Sequence, residues 1–228
     1  MNAFPAPTLH LVESRTGVVV PAGVVPEYSL VKQSPCLILL AVSFTLLKEV
    51  RVNEQGGGPP IQICNRSEAK TMVVESCGVT VIGEGLGDIF ISDCLAHVQL
   101  RRPGQNCWAR QLNPEGTTEF GLVQNNGANL WCLGVKHEGL GVRFATRNGG
   151  KTEILGLFNY GGSPEEMDMR PSFAVDEAAL SVAGLREIAF ASHTAYNKVR
   201  ETAQGQIKTL DKQSEGGWIG WSLYRSKR

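Results

Sequence analysis

Residues 125–156 read NNGANLWCLGVKHEGLGVRFATRNGGKTEILG, and this stretch decides the fold because it contains its own repeat. Asn126-Gly127 returns as Asn148-Gly149, and Leu133-Gly134 returns as Leu155-Gly156, each after 22 residues. A period this short is too small for a pair of helices and is typical of one coil of a solenoid. The segments between the glycines alternate apolar and polar residues, which favours strands.

The same rhythm extends upstream. Setting Trp108 over Trp131 also sets Glu115 over Glu138, an offset of 23 residues. Residues 61–162 contain short β-branched and aliphatic segments separated by Gly, Asn, Asp or Pro, a pattern typical of short strands and tight turns. A two-sheet sandwich also has short strands, but it does not predict a constant offset. We therefore expect an all-β chain that forms a right-handed single-stranded parallel β-helix, a solenoid of stacked coils.

The pattern divides the chain into three parts. Residues 1–60 are predicted to be an irregular N-terminal region with partial first coils, which ends in the loop GGGPP. Residues 61–162 are predicted to form the coils of the β-helix. Residues 163–228 are expected to cap the open end of the rod, where unpaired backbone would invite association. Residues 176–190 also have apolar side chains at helical spacing, so a helix stays open there as an alternative.

Charge and hydropathy narrow the classes of function. The chain of 228 residues has 22 basic and 22 acidic side chains, and hence a formal net charge of zero. A nucleic-acid-binding protein normally has a basic excess or stripe, so nucleic acid is not an expected partner. The apolar run at residues 36–47 is shorter than the ~20 residues that span a bilayer, so no membrane span is predicted. The N-terminus shows no pattern of a signal peptide, and the localisation stays open.

The cysteines and histidines predict neither a metal centre nor a redox motif. No CxxC pair occurs, and the spacing of the histidines builds no set of metal ligands. We interpret the cysteines as small apolar residues inside strands and keep a disulfide framework as the weaker alternative. The six cysteines are Cys36, Cys64, Cys77, Cys94, Cys107 and Cys132.

Four motifs carry a family resemblance. They are DIFISD (88–93), GQNCWARQLNPEG (104–116), NNGANLWCLGVKHEG (125–139) and GGKTEILGLFNYGG (149–162). Over about 90 residues the chain resembles the C-terminal part of the pectate-lyase-like right-handed β-helix superfamily, in particular uncharacterised bacterial proteins related to glycosyl hydrolase family 28 or to the pectate-lyase superfamily. His137 stands where that group usually has Thr, and Ala128 and Leu157 replace glycines.

The resemblance implies a parallel β-helix, a polysaccharide partner and, if the chain is a lyase, a Ca²⁺ ion held by acidic ligands. Relatives of this kind look exported. The signatures N-T-D, D-D, G-H-G and R-I-K of family 28 are absent from this sequence, so polygalacturonase chemistry is not assigned. No cofactor and no set of metal ligands is evident in the chain itself.

The candidate catalytic residues are Glu115, Glu138 and Arg110. Stacked coils place the two carboxylates on adjacent rungs, about 5 Å apart. Two carboxylates this close raise one pKa and can form an acid/base pair. Alternatively, Arg110 and Lys136 neutralise them in a structural ladder of ion pairs, which is the interpretation that we favour.

The candidate substrate-binding residues are Trp108, Trp131, Lys136 and His137. If the two indole rings are exposed, they form a stacking platform for sugar rings. If they point inward, they are part of the core, which we favour because both lie within apolar strands.

Three functions follow from these patterns. The first is a pectate-lyase-like β-helix that binds polysaccharide, or is vestigial, and lacks a recognisable catalytic set. The second is an active polysaccharide lyase or glycoside hydrolase on an acidic polysaccharide. The third is a structural rod that associates with itself.

Overall fold

The computed structural model of the chain describes residues 18–20, 37–39, 45–48, 62–116, 118–139, 141–161, 170–189, 195–214 and 218–226. Within them the chain forms 17 strands and no helix, which confirms the all-β class. The strands are β1 (Val18–Val20), β2 (Leu37–Leu39), β3 (Thr45–Lys48), β4 (Gln62–Asn65), β5 (Met72–Glu75), β6 (Gly78–Gly83), β7 (Ile89–Leu100), β8 (Asn106–Leu112), β9 (Val123–Asn126), β10 (Asn129–Gly139), β11 (Phe144–Arg147), β12 (Lys151–Gly161), β13 (Phe173–Asp176), β14 (Ala179–Ala189), β15 (Ala195–Ala203), β16 (Gln206–Ser214) and β17 (Trp218–Arg225).

The strands are stacked in two sheets of parallel neighbours. Sheet 1 contains β3, β5, the first half of β7, β8, β10, β12 and β14 in that order. Sheet 2 contains β1, β2, β4, β6, the second half of β7, β9, β11, β13 and β15. The chain runs alternately through sheet 1 and sheet 2, and we call one circuit through both sheets a pass. Most strands therefore pair with the strand of the same sheet in the next pass.

Part of the repeat that was read from the sequence is the register of this stacking in sheet 1, whereas in sheet 2 Asn126 pairs with Arg147 and not with Asn148. Trp108 pairs with Trp131 between β8 and β10, and Leu133 pairs with Leu155 between β10 and β12. An isolated parallel bridge also joins Glu115 to Glu138. The offsets of 22 and 23 residues are therefore confirmed as the lengths of two successive passes.

The C-terminal strands run in the opposite direction. β17 pairs antiparallel with β14, and β16 pairs antiparallel with β15. The hairpin of β15 and β16 turns over the two residues Gln204 and Gly205, both with positive φ, the geometry that tight hairpins require. The sheet is thus mixed, and its antiparallel pairs lie in the segment that was expected to cap the parallel coils.

The alternative of a helix at residues 176–190 is also wrong. β14 occupies Ala179–Ala189, and its buried residues Leu180 and Val182 alternate with the less buried Ser181 and Ala183. This period of two residues is that of a strand. Of the predicted N-terminal region, β1, β2 and β3 are strands, and its other residues lie outside the described part of the chain.

A column of residues with positive φ bends the strands of sheet 1. On β10, β12 and β14 the bend falls at Gly134, Gly156 and Gly184, which lie opposite one another in the register. On the earlier passes, Ser76, Asp93 and Gln111 adopt the same left-handed conformation. We call these six residues the bend column. It divides the outer face of sheet 1 into a part formed by the residues before the bend and a part formed by the residues after it.

Apolar side chains fill the space between the two sheets. The core extends from Ile63 to Val199 and includes the stacked rings of Phe144 and Phe173. Cys64, Cys77, Cys94, Cys107 and Cys132 are buried thiols, so their interpretation as small apolar residues is confirmed, whereas Cys36 lies outside the described residues. Within the part of the chain that the structure describes, there is no helix of the length and apolar character needed to cross a bilayer.

Candidate functional site

Three aromatic rings form a column on the outer face of sheet 1. The ring centroids of Phe90 and Trp108 are 4.8 Å apart, those of Trp108 and Trp131 are 5.2 Å apart, and both pairs are within 11° of parallel. The stacking follows from the register, because directly opposite residues of neighbouring strands lie one strand spacing apart. We call these three residues the aromatic column.

The preference for an inward position of the two tryptophans is therefore wrong. Trp131 is 37% exposed, and Trp108 is partly exposed. The inward positions beside them are taken by Cys107, Ala109 and Cys132, which are all buried. Apolar residues occupy both faces of these strands, so hydropathy alone did not show which face is inside.

A ladder of polar side chains accompanies the aromatic column. Asn106 donates to the carboxylate of Asp88 at 3.3 Å, and Asn129 donates to the amide oxygen of Asn106 at 3.0 Å. We call Asp88, Asn106 and Asn129 the amide ladder. Each of its members lies two residues before a ring of the aromatic column, so both rows follow the outer face from pass to pass.

The opposite side of the aromatic column is less polar. Leu133 and Leu155 are 58% and 46% exposed, and they lie opposite each other in the register. Arg110 precedes them in the same row and donates to the hydroxyl of Ser92 at 3.0 Å.

Glu115, Glu138 and Lys136 meet in one cluster beyond the bend column. The ammonium of Lys136 lies 3.4 Å from Glu115 Oε1 and also contacts the carboxylate of Glu138. The hydrogen bond with Glu138 is the main cause that raises the pKa of Lys136. The same ammonium lies 5.5 Å from the centre of the Tyr160 ring.

The arrangement around Lys136 is that of an ion-pair ladder. One cation lies between the two carboxylates that were candidates for acid/base catalysis and offsets their mutual repulsion. Arg110, the third candidate, lies before the bend column and is bound to Ser92. Among the described residues, no group of three or more His, Cys, Asp or Glu side chains is placed to hold a metal ion.

His137 does not lie on the outer face, so its predicted contact with a surface-bound substrate is wrong. Its side chain is fully buried, and its Nδ1 donates to Asn159 Oδ1 at 2.6 Å. The strand alternation causes this, because Lys136 and Glu138 on either side take the outward positions. Burial, followed by the positive charge of Arg143, lowers the pKa of His137 to about 3.

Asn159 and an internal ion pair complete a buried polar cluster around His137. Arg143 binds Glu187 through two hydrogen bonds of 3.1 and 3.3 Å, and both side chains are buried. His137 Nε2, Asn159 Nδ2 and Arg143 Nε are buried and have no hydrogen-bond partner among the residues that the structure describes. Sequence reasoning missed Asn159, Arg143 and Glu187, although the offset of 22 residues from His137 to Asn159 was a usable signal.

The structure thus brings together Trp108 with Trp131, and Glu115 with Glu138 and Lys136, while it separates Arg110 and His137 from both groups. Comparison of the chain with protein-family models, with curated proteins and with solved structures found no match.

Proposed function

We propose that the chain is a polysaccharide-binding module of the pectate-lyase-like kind, built on a right-handed parallel β-helix and lacking a catalytic set. The observation that carries the proposal is the pairing of the aromatic column with the amide ladder on one outer face. This surface combines apolar rings with amide and carboxylate groups along the direction of stacking.

The β-helix interpretation is supported by the pairing of successive passes. The register is parallel from β1 to β15 in sheet 2 and from β3 to β14 in sheet 1. Parallel strands joined by a crossover in one sheet are right-handed in almost all proteins. The two antiparallel pairs would then belong to the C-terminal cap and not to the coils.

The polysaccharide interpretation is supported by the chemistry of the outer face. Sugar rings have apolar C–H faces and a rim of hydroxyl groups, so they need apolar surface and hydrogen-bonding groups side by side. The aromatic column supplies the apolar surface, and the amide ladder supplies the hydrogen-bonding groups. Three stacked rungs extend over roughly 10 Å, which suits an extended polymer better than a compact ligand.

Binding without catalysis is supported by the state of the candidate catalytic residues. Glu115 and Glu138 share the cation of Lys136, and Arg110 is bound elsewhere. Among the described residues, neither Glu115 nor Glu138 therefore lies beside a basic side chain that is free to take a proton.

The experiment that tests this proposal measures binding of the purified full chain to a panel of neutral and acidic polysaccharides by affinity electrophoresis. We expect retardation by at least one polysaccharide. Asn129→Ala should weaken it by about threefold, because one neutral hydrogen bond contributes ~0.5–1.5 kcal/mol. Asn126→Ala is the matched control, since this exposed amide lies at the end of β9 in sheet 2, outside the amide ladder. The proposal is wrong if no polysaccharide retards the folded protein.

An active lyase or hydrolase is the second candidate, favoured only by the bridge between Glu115 and Glu138. Its test is the appearance of unsaturated ends, with and without Ca²⁺, or of new reducing ends in the same panel. We expect neither product. Product that disappears in both Glu115→Gln and Glu138→Gln would establish the enzyme and overturn the assignment of binding alone.

A further inference from the structure

The stacking of the aromatic column leaves one face of Trp131 without an aromatic neighbour among the described residues, on the side toward β12. Trp108 lies between Phe90 and Trp131, so both faces of its indole ring are covered. The outer face of Phe90 looks toward Val73, its partner on β5. Trp131 stands opposite Glu153 on β12, and this carboxylate side chain does not continue the stack. The column therefore presents ring edges along its length and one ring face at its end, on Trp131.

A depression of about 980 Å³ adjoins this end of the column. Its outer lining includes Trp131, Lys151, Glu153, Ser181, Leu223 and Arg225. β17 forms one wall because it runs antiparallel along β14 and places Arg225 opposite Ser181. The aromatic column and the antiparallel C-terminal strand therefore meet at one place, and each supplies part of the same hollow.

The lining has the composition of a sugar subsite. Trp131 offers an apolar ring for the C–H face of a pyranose, which is the usual role of an exposed aromatic ring with one wet side. Around it, Glu153 accepts hydrogen bonds, Lys151 and Arg225 donate them, and Ser181 does both. The volume lies within the range of small-molecule sites, about 300–1,000 Å³.

The position of Glu153 selects the charge of the ligand. Glu153 is exposed and lies directly opposite Trp131, so a sugar stacked on the indole ring comes within a few ångströms of its carboxylate. A carboxylate accepts hydrogen bonds from hydroxyl groups and repels a second carboxylate. An uncharged sugar unit suits this position better than a uronate.

We propose that the face of Trp131 toward β12 and the adjoining depression form a subsite for one uncharged pyranose unit of the bound polysaccharide. This inference rests on the proposed function and adds to it the place and the charge of the sugar. Binding of this sugar unit then sets the position of one end of the polysaccharide segment that lies along the aromatic column.

The test is isothermal titration of the full chain with oligosaccharides cut from a polysaccharide that binds it. We expect Trp131→Ala to weaken binding by about tenfold, the effect of ~1.4 kcal/mol. Phe120→Ala, which removes an exposed ring outside the aromatic column and the depression, should change it by less than about twofold. Equal losses in the two variants would overturn the subsite while leaving the proposed function intact.

Two further variants keep the test decisive if Trp131→Ala does not fold. Glu153→Phe extends the stack, covers this indole face and should weaken oligosaccharide binding by about tenfold, as Trp131→Ala does. Circular dichroism verifies that the variant is folded. Glu153→Gln should reduce the preference for neutral over uronate oligosaccharides. Tighter binding of uronates by the natural sequence, or unchanged affinity in Glu153→Phe, would refute the subsite. Absence of binding to every polysaccharide would instead refute the proposed function, and the subsite with it.

Discussion

His137 shows at the scale of a single residue how burial controls protonation. In the unfolded chain its pKa is close to the ordinary value of about 6.5, whereas burial and Arg143 lower it to about 3 in the folded chain. The folded state therefore favours the neutral ring. The stability contributed by this preference is complete above pH 6.5 and is lost as the pH falls toward 3.

We expect the free energy of unfolding to fall by up to about 1.4 kcal/mol per pH unit between pH 6 and pH 4.5 because of this residue. Guanidinium titrations at several pH values measure it. The matched variant is His137→Gln, which keeps a polar side chain and removes the titration. Parallel pH curves for the two proteins would contradict the prediction.

Gly156 is a second residue whose effect can be predicted. Its φ is +78°, and a Cβ placed there would approach nothing closer than the Cα of Gly134, at 4.0 Å. Gly156→Ala should therefore cost about 1–2 kcal/mol, the penalty of a left-handed conformation without steric clash. Thermal or denaturant unfolding measures the loss.

Gly139 is the comparison for Gly156. A Cβ there would lie 2.3 Å from the backbone oxygen of Gly116, so the backbone itself would have to move. Gly139→Ala should be clearly more destabilising than Gly156→Ala. Equal losses would mean that the neighbouring pass yields easily at this turn.

At the scale of elements, the pair of Arg143 and Glu187 ties the segment before β11 to β14. Its charges are buried, with 3% and 2% of the side chains exposed. Glu187→Gln leaves the guanidinium without its counter-charge and should cost about 3–5 kcal/mol. Glu138→Gln is the control, because its ion pair is exposed and should cost at most about 1 kcal/mol. Similar losses in the two variants would show that water reaches Arg143.

How far the contacts between elements could be predicted from the sequence depends on how far apart the contacting residues lie along the chain. The offset of Trp108 and Trp131 predicted the register of β8 and β10, because equal residues recur at equal positions. Hydropathy did not predict that the indole rings point outward, because the neighbouring Cys107 and Ala109 are also apolar and can equally occupy the inward positions. The pairing of Arg143 with Glu187 spans 44 residues, and no local pattern connects them.

At the scale of the whole molecule, the reversal of direction at the C-terminal end was the feature that the repeat could not predict. A repeat indicates how one pass stacks on the next and carries no information about the segment that follows it. The antiparallel pairs of β15 with β16 and of β14 with β17 depend on contacts beyond the repeat.

β17 shields the edge of β14 along seven paired positions, from Ser181 to Ile188. Removal of residues 215–228 should expose this edge, and an unpaired strand edge is a template for association. We expect the shortened chain to form concentration-dependent oligomers in light scattering after gel filtration, and the full chain to do so much less. A shortened chain as monodisperse as the full one would show that β14 is protected by other means.

The 22-residue register between β10 and β12 also determines which insertions the fold accepts during evolution. A tandem duplication of 22 residues adds one layer and keeps each side chain aligned with those above and below. An insertion of one residue within a strand instead turns inward side chains to the outside. Lengthening is therefore tolerated in whole layers, and the stack of strands grows in steps of about 5 Å.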